Sequence, residues 1–484
     1  MKKPVLQSRS KLKDHGRRNF LRTATAAATT LATGGILTGC DRTPGEPQSP
    51  VSFAPGKPLP WINWAGNQSC FPTARLAPAS EDELVSMLKT AKGVVRAVGA
   101  SHSFSAVVPT NDTLITTDLL SGLIGHDPDA VQAEIWAGTR MHALGPLLDA
   151  VGQALPNQPD MDYPAMGGAI ACSAHATGKG FGSMSSYVTG LTLATPSGEL
   201  LECSANQHPE IFQAARVSLG TLGIVSRIKL QNVPSFRLVE TNRVEKTEQV
   251  LEEFNQRIAQ HRHFEFLPLP HTSLCATVTT DIASDKDVAI GEEDSTAAHT
   301  LRKVFNALSW LPAIGDATYE KVLTLALGGA GTEVRVGKSF EVFPHVRTVR
   351  FREMEYTVPA EHGAACLREI LDTIKNKSIP VCFPLEFRFV RADDIWLSMF
   401  EGRDGITISA HQYGDLDYKA YFAQIEPIFW KYQGRPHWGK IHTLNATQLA
   451  ALYPRHWQDF KEIRAQLDPK GTMLNNYMKS ILGV

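Results

Sequence analysis

The sequence has no excess of basic charge, no closely spaced cysteine pair and no apolar run long enough to cross a bilayer. With 48 lysine and arginine residues against 49 aspartate and glutamate, the formal net charge is −1. No basic stripe stands out to follow a phosphate backbone, so nucleic acid is excluded as a main partner. The seven cysteines lack the spacing of zinc sites and dithiol redox centres, and no metal site is expected. Several cysteines sit in apolar runs such as "IPVCFPLEF" and "GGAIACSAH", where buried free thiols are common. No disulfide is expected. There are no internal repeats and no long low-complexity segment. The turn after "VVRAVG" lacks GxGxxG, so a dinucleotide would need a scaffold other than the Rossmann fold. The composition is otherwise that of an ordinary globular protein, 43% hydrophobic and 20% charged over 484 residues, enough for two or three domains.

The N-terminal stretch "GRRNFLRTATAAATTLATGGILTGC" pairs Arg17 with Arg18 ahead of a weakly apolar run. That run is too short and too rich in threonine and glycine to span a membrane. It resembles a twin-arginine export signal, and "LTGC" resembles a lipobox with Cys40 as the lipidated residue. A signal over 1–39 and a proline-rich tether over 40–60 are therefore expected, with the protein periplasmic and lipid-anchored at Cys40. Asp41 resembles the signal that retains lipoproteins at the inner membrane.

Two small-residue loops dominate the chain between residues 96 and 187. Ahead of them, Ser80 and Glu83 form a capping box for a helix with Leu84, Met87 and Leu88 at helical spacing. The strand "VVRAVG" then leads into "ASHSFS", where successive small residues let backbone N–H groups point into one concavity, which suits a diphosphate. His102 at its tip does not serve that purpose at neutral pH and points to a bond with something else. The second loop, "PAMGGAIACSAHATGKGFGSMSSY", crowds glycines among hydroxyls; glycine permits close backbone approach and the hydroxyls supply donors. Strands at "TGLTLATPSG", "LLECS" and "LGIVSRIKLQ" and a helix near "PEIFQAARVS" come after it. The alternation of strand, helix and small-residue loop favours an α+β cofactor domain.

Together with "SLGTLGIVSRIKL", these loops resemble the FAD-binding domain of the vanillyl-alcohol oxidase / p-cresol methylhydroxylase flavoprotein superfamily. The stretches "FEFLPLPHTSLCATVTTD", "FREMEYTVPAE", "EFRFV" and "RPHWGKIHTL" narrow the resemblance to the sugar-lactone and alditol oxidases. It extends from about residue 65 to the C-terminus. The resemblance implies an α+β chain with a two-subdomain FAD-binding domain over 61–235. It further implies a substrate (cap) domain over 236–430 and a C-terminal segment, 431–484, closing over the flavin. His102 stands where the family bonds covalently to the 8α-methyl group of FAD. Gly99, Ala100, Ser101 and Ser103 would donate to the diphosphate and flavin. Gly168, Ser173, His175 and Gly178 fall where relatives contact FAD, and Ile224 lies near the adenine end. The string "SAHATG" departs from a "GTHGTG"-like pattern by the methyls of Ala174 and Ala176. The stretch 282–340 is the least family-like, with an acidic head and a helix expected at "RKVFNALSWL".

Residue types carry the chemistry. Oxidising an alcohol with flavin removes a hydroxyl proton and passes hydride to N5, and the negative charge that develops on the flavin needs fixed positive charge nearby. In the strand-like "PLEFRFV", Glu386 and Arg388 are two apart and project from one face. In the family this pair positions the substrate over the flavin. Lys440 of "HWGK" matches a lysine at the flavin or substrate, His437 shapes the same wall, and His411 falls near a substrate-side histidine. Arg388 or Lys440 could lower the alcohol's pKa, with Glu386 or His411 taking the proton. The expected substrate is an aldono-1,4-lactone, with an alditol (polyol) as the alternative and oxygen or a membrane electron carrier as the final acceptor. A berberine-bridge-type second flavin link would need Cys172 in a motif it does not occupy. A non-catalytic sugar-binding lipoprotein would be expected to have lost Glu386, Arg388 or Lys440, and all three are present.

Overall fold

The computed structural model of the protein describes residues 59–289, 321, 332–345 and 349–484. The expected export signal, most of the tether and the helix expected at "RKVFNALSWL" lie outside the described residues.

The N-terminal half carries two sheets of three or more strands, beside two short two-stranded pairings. In the first, strands Ala74–Leu76, Thr113–Thr116 and Val95–Val98 run parallel, in that order. The helix Glu81–Thr90 makes the crossover. Ser80 caps it by accepting from the Glu83 N–H at 3.2 Å, and its apolar face buries Leu84 and Leu88 against Val95, Ile115 and Ile224. The Glu83 carboxylate accepts from the Ala79 N–H at 2.8 Å. The second sheet is antiparallel, in the order Leu200–Ser204, Val188–Ala194, Ile224–Gln231, Gln132–Trp136 and Leu123–Asp127. Gly223 opens its central strand at φ +144°, and a Cβ there would stand 2.4 Å from the Ala194 carbonyl oxygen. Only glycine fits that approach.

Beyond residue 236 an eight-stranded antiparallel sheet takes over. Its order is Glu333–Lys338, Arg237–Lys246, Leu274–Ile282, His263–Pro268, Glu386–Val390, Gly405–Tyr413, Phe351–Pro359 and Arg435–Pro436. Helices Thr247–Gln260, Gly363–Asn376 and Lys419–Lys431 supply its apolar cover. The middle one buries Cys366, Leu367, Ile370 and Ile374 at helical spacing. Side chains alternate along each strand, which divides the chemistry from the core. Phe387 packs edge-on against Phe254 of the first helix at 4.9 Å, and Tyr356 stacks on Phe429 of the third at 4.7 Å. Their neighbours Glu386, Arg388, Glu353 and Glu355 face the other way.

The C-terminal segment returns to the N-terminal half. The Phe104 N–H donates to the Gly439 carbonyl at 2.7 Å and the Val95 N–H to the Thr472 carbonyl at 2.8 Å. Ser105 Oγ donates to the Trp438 carbonyl at 2.6 Å, and Asn475 Nδ2 to those of Ala106 and Pro109 at 2.9 and 3.0 Å. No helix among the described residues is long and apolar enough to cross a membrane.

Candidate active site

A cleft runs between the first loop, the second loop and the inner face of the eight-stranded sheet. The first loop leaves Val98 and turns at Ser101, whose φ of +62° is left-handed. Two tryptophans fix that turn: Trp61 Nε1 donates to Ser101 Oγ at 3.0 Å, and the Trp64 N–H donates to the Ser101 carbonyl at 2.8 Å. Two aromatic rings then stack on His102. Trp64 stacks on it at 5.1 Å between centroids and Tyr163 at 5.8 Å. Its Nδ1 is buried with no hydrogen-bond partner. Burial, reinforced by the charges of Lys440 and Arg140, pushes the imidazole down to about 4, so the ring is neutral near pH 7 with a nitrogen lone pair to offer. Gly99, Ala100, Ser101 and Ser103 line the cleft with it.

Arg96, directly below this loop, is 2% exposed. Its guanidinium donates to four carbonyls: Val107 at 2.7 Å, Gly220 at 2.7 Å, Met473 at 2.5 Å and Leu219 at 2.6 Å. Burial lowers it to about 10. Among the described residues no carboxylate pairs with it, so a full positive charge sits beside the loop uncompensated. Leu219 and Gly220 are both left-handed, at φ +54° and +63°, and Arg96 locks that turn.

In the second loop, Gly168 and His175 line the cleft, as does Ile224. Gly168 has open space where a Cβ would stand. Ser173 and Gly178, also expected at FAD, do not line the cleft. Ser173 is fully buried and faces Ser398 Oγ at 3.4 Å. The Gly178 N–H donates to the Phe389 carbonyl at 2.9 Å, and a Cβ there would meet Phe181, Arg262 and His263. Both support the loop from behind.

The opposite wall is built from carboxylates and cations on alternate positions of four neighbouring strands, with Lys440 and His437 added from the segment after Arg435–Pro436. Arg388 pairs directly with Glu386, and its Nε donates to Glu265 at 2.6 Å; Glu265 lies opposite it in the strand register. Burial opposes charge on Arg388, but the two carboxylates outweigh it and hold the guanidinium charged. Glu265 itself is pushed up by burial despite Arg388. Lys440 pairs with Glu353, whose other oxygen stands 3.6 Å from His411 Nε2. Burial would raise Glu353, yet Lys440 and His411 bring it down to about 2. Glu355 accepts from His175 Nε2 at 2.5 Å and from Ser409 Oγ at 2.9 Å. His175 holds it well below the usual carboxylate range against the effect of burial. His437 Nδ1 accepts from the Gly439 N–H at 3.0 Å, and burial pushes that ring down to about 3.

All five residues expected on the substrate side, Glu386, Arg388, His411, His437 and Lys440, therefore line one cleft with His102. Sequence reasoning missed Glu353, Glu355 and Glu265. The signal was present in "FREMEY" and "FEF": carboxylates at alternate positions of otherwise apolar strands.

Residues 228–481 match the family described as D-arabinono-1,4-lactone oxidase, and residues 72–204 match the FAD binding domain. The chain belongs to the D-arabinono-1,4-lactone oxidase family. This family member is an FAD-dependent oxidoreductase. It is 34% identical to the L-gulono-1,4-lactone dehydrogenase of Mycobacterium tuberculosis over 433 residues, covering 87% of this chain and 99% of that protein. It is 30% identical to the L-gulonolactone oxidase of Bos taurus over 442 residues, covering 88% and 98%. Its fold is similar to that of cholesterol oxidase from B. sterolicum, with a TM-score of 0.71, 17% identity and coverage of 90% and 99%. The α+β FAD-binding architecture expected from the sequence is thereby established.

Proposed function

We propose that the protein oxidises a CH–OH group of an aldono-1,4-lactone, with FAD bonded covalently through His102. The observation that carries this reading is the convergence on one cleft of a partnerless, neutral His102 and two carboxylate-held cations, Arg388 and Lys440. Relatives matched over nearly their whole length are named for gulonolactone oxidation.

The residues present fit FAD. The orphaned Nδ1 of His102 offers a bonding atom, Gly168 leaves room for close approach, and Arg96 supplies unbalanced positive charge beneath the small-residue loop. Gly99, Ala100, Ser101 and Ser103 would hold the diphosphate and flavin, with Ile224 toward the adenine. When bound, FAD supplies a two-electron acceptor for the hydride. Arg388 and Lys440 bind the substrate oxygens and stabilise negative charge as the C–H bond breaks. Glu386 and Glu265 keep Arg388 charged and aimed, as Glu353 does for Lys440.

The test is the visible spectrum of purified protein under anaerobic conditions, titrated with a panel of aldonolactones and alditols. Bleaching by an aldono-1,4-lactone supports the reading; bleaching by alditols alone would replace it with alditol oxidation. Admitting oxygen, or a quinone, then identifies the final acceptor. We further propose export through the twin-arginine route and lipid anchoring at Cys40 at the inner membrane. Replacing Arg17 and Arg18 with Lys should hold the protein in the cytoplasm, and Cys40→Ala should release it from membranes. A Cys40→Ala protein that still sediments with membranes would refute the anchor.

A further inference from the structure

We propose that His411 is the general base that takes the substrate's hydroxyl proton, and that Glu353 is the positioning carboxylate that holds the resulting imidazolium. The assignment rests on the alcohol oxidation proposed above.

The tautomer of His411 can be read from its partners. Its Nδ1 lies 3.0 Å from the Pro384 carbonyl oxygen. A carbonyl only accepts, so Nδ1 carries the hydrogen and the neutral ring keeps its lone pair on Nε2. Nε2 stands 3.6 Å from Glu353 Oε1, longer than an ordinary hydrogen bond, and the ring lines the cleft where a substrate hydroxyl would lie. Phe351 and Phe383 pack on the ring, each at 5.1 Å between centroids, and fix its plane. Glu353 and His411 are also direct partners in the strand register, so the backbone sets their spacing.

The other titratable groups of this wall are engaged in ways that disqualify them. Glu386 is paired with Arg388, and Glu353 is paired with Lys440. Glu355 is occupied by His175 and Ser409. Both nitrogens of His175 face acceptors, at 3.0 and 2.5 Å, so both already donate. His437 spends its Nδ1 lone pair on the Gly439 N–H. That leaves His411 Nε2 as the basic lone pair backed by a carboxylate.

The step balances without another reagent. The O–H bond breaks and its proton goes to His411 Nε2. The C–H bond breaks and its electron pair leaves as hydride to FAD, and the C–O bond becomes a carbonyl. Glu353 stays ionised throughout and meets the new positive charge, while Lys440 and Arg388 hold the oxygen. Around His411 the charged groups are Glu353 and Lys440 at its own end of the cleft, and Glu386 and Arg388 on the neighbouring strand. Loss of the Glu353 charge leaves the cations dominant and removes the counter-ion of the imidazolium formed in the step.

The test combines anaerobic stopped-flow reduction of the FAD-loaded enzyme by L-gulono-1,4-lactone with ¹⁵N NMR of histidine-labelled protein. In His411→Asn the limiting reduction rate should fall by about 10²–10⁴, the lactone dissociation constant should change only a few-fold, and the acid limb of the rate–pH profile should vanish. In Glu353→Gln that limb should move to lower pH, and Glu353→Asp should restore part of its position. The resonances of His411 should report the Nδ1–H tautomer above its titration, with a lower midpoint in Glu353→Gln. A His411→Asn enzyme that keeps its acid limb, or that loses only lactone affinity, overturns the assignment. So does an Nε2–H tautomer for neutral His411. Failure of every lactone to bleach the flavin would instead sink the functional reading, and the ¹⁵N titration would still decide the Glu353–His411 couple.

Discussion

Trp64 and His102 lie stacked, their ring centroids 5.1 Å apart and their planes 26° from parallel. Tyr163 stacks on the same imidazole at 5.8 Å, and Nδ1 is buried without a hydrogen-bond partner. Covalent attachment of FAD is the expected outcome. Acid-precipitated protein should keep yellow fluorescence on a denaturing gel, and His102→Ala should lose it. Release of all flavin from the wild type on denaturation would refute the bond.

Arg388 and Lys440 should act mainly on the transition state, since the charge they oppose appears only as hydride leaves. Arg388→Ala and Lys440→Ala should each slow anaerobic flavin reduction by about 10²–10³ with FAD still attached. Stopped-flow absorbance at the flavin band measures this. Near-normal rates in both variants would make the two ion pairs structural.

Arg96 makes a different prediction. Arg96→Met leaves four carbonyls without their donor, three of them in buried hydrogen bonds, and each buried loss costs about 1–3 kcal/mol. The thermal midpoint should therefore drop markedly. In a His102→Ala background, where FAD can be titrated reversibly, Arg96→Gln should weaken FAD and ADP together while leaving adenosine affinity nearly unchanged. Equal losses for all three ligands would show that Arg96 only braces the turn.

Acid should destabilise the fold through buried neutral histidines. Burial pushes both His263 and His442 down to about 4, whereas the unfolded chain titrates near 6.5. Their contribution is complete above pH 6.5 and is lost as pH falls through about 4, roughly 3 kcal/mol for each. His345 works in the opposite sense. Burial opposes its charge, but Asp160 and Glu240 raise it to about 10, so its contribution is complete only below about pH 6.5 and fades on the alkaline side; the gain of about 1 kcal/mol between pH 7.5 and 6.5 offsets only part of the loss. Urea unfolding between pH 7.5 and 4.5 should show the decline. His263→Asn, which keeps a donor for the Thr177 carbonyl now bonded at 2.8 Å, should flatten it; an unchanged slope would refute the assignment.

What the sequence revealed and what it hid have separable physical causes. Period-two alternation in "EFRFV" places Glu386 and Arg388 on one face before any strand order is known. The small-residue loop around His102 is likewise local chemistry. Glu353 and Glu265 escaped notice because their partners lie 87 and 123 residues away, and only the register of a folded sheet joins them. The place of Ser173 and Gly178 behind the loop was illegible for a related reason. A loop rich in glycine and hydroxyls announces close packing without saying which side is packed. Arg96 passed as one more strand residue, because the carbonyls that surround it come from three distant turns.

The return of the C-terminal segment to the first loop has a consequence for how the protein is made. Phe104 is bonded to Gly439, Val95 to Thr472 and Arg96 to Met473, so one wall of the cleft is synthesised early and its brace near the end. Domains ordinarily fold as they leave the ribosome, N-terminal part first. Here the first loop waits through more than 330 residues of translation before Gly439 exists to hold it. The loop therefore gains its brace only when the chain is nearly complete, and a chain stalled or clipped before Gly439 leaves the first loop and Arg96 without it.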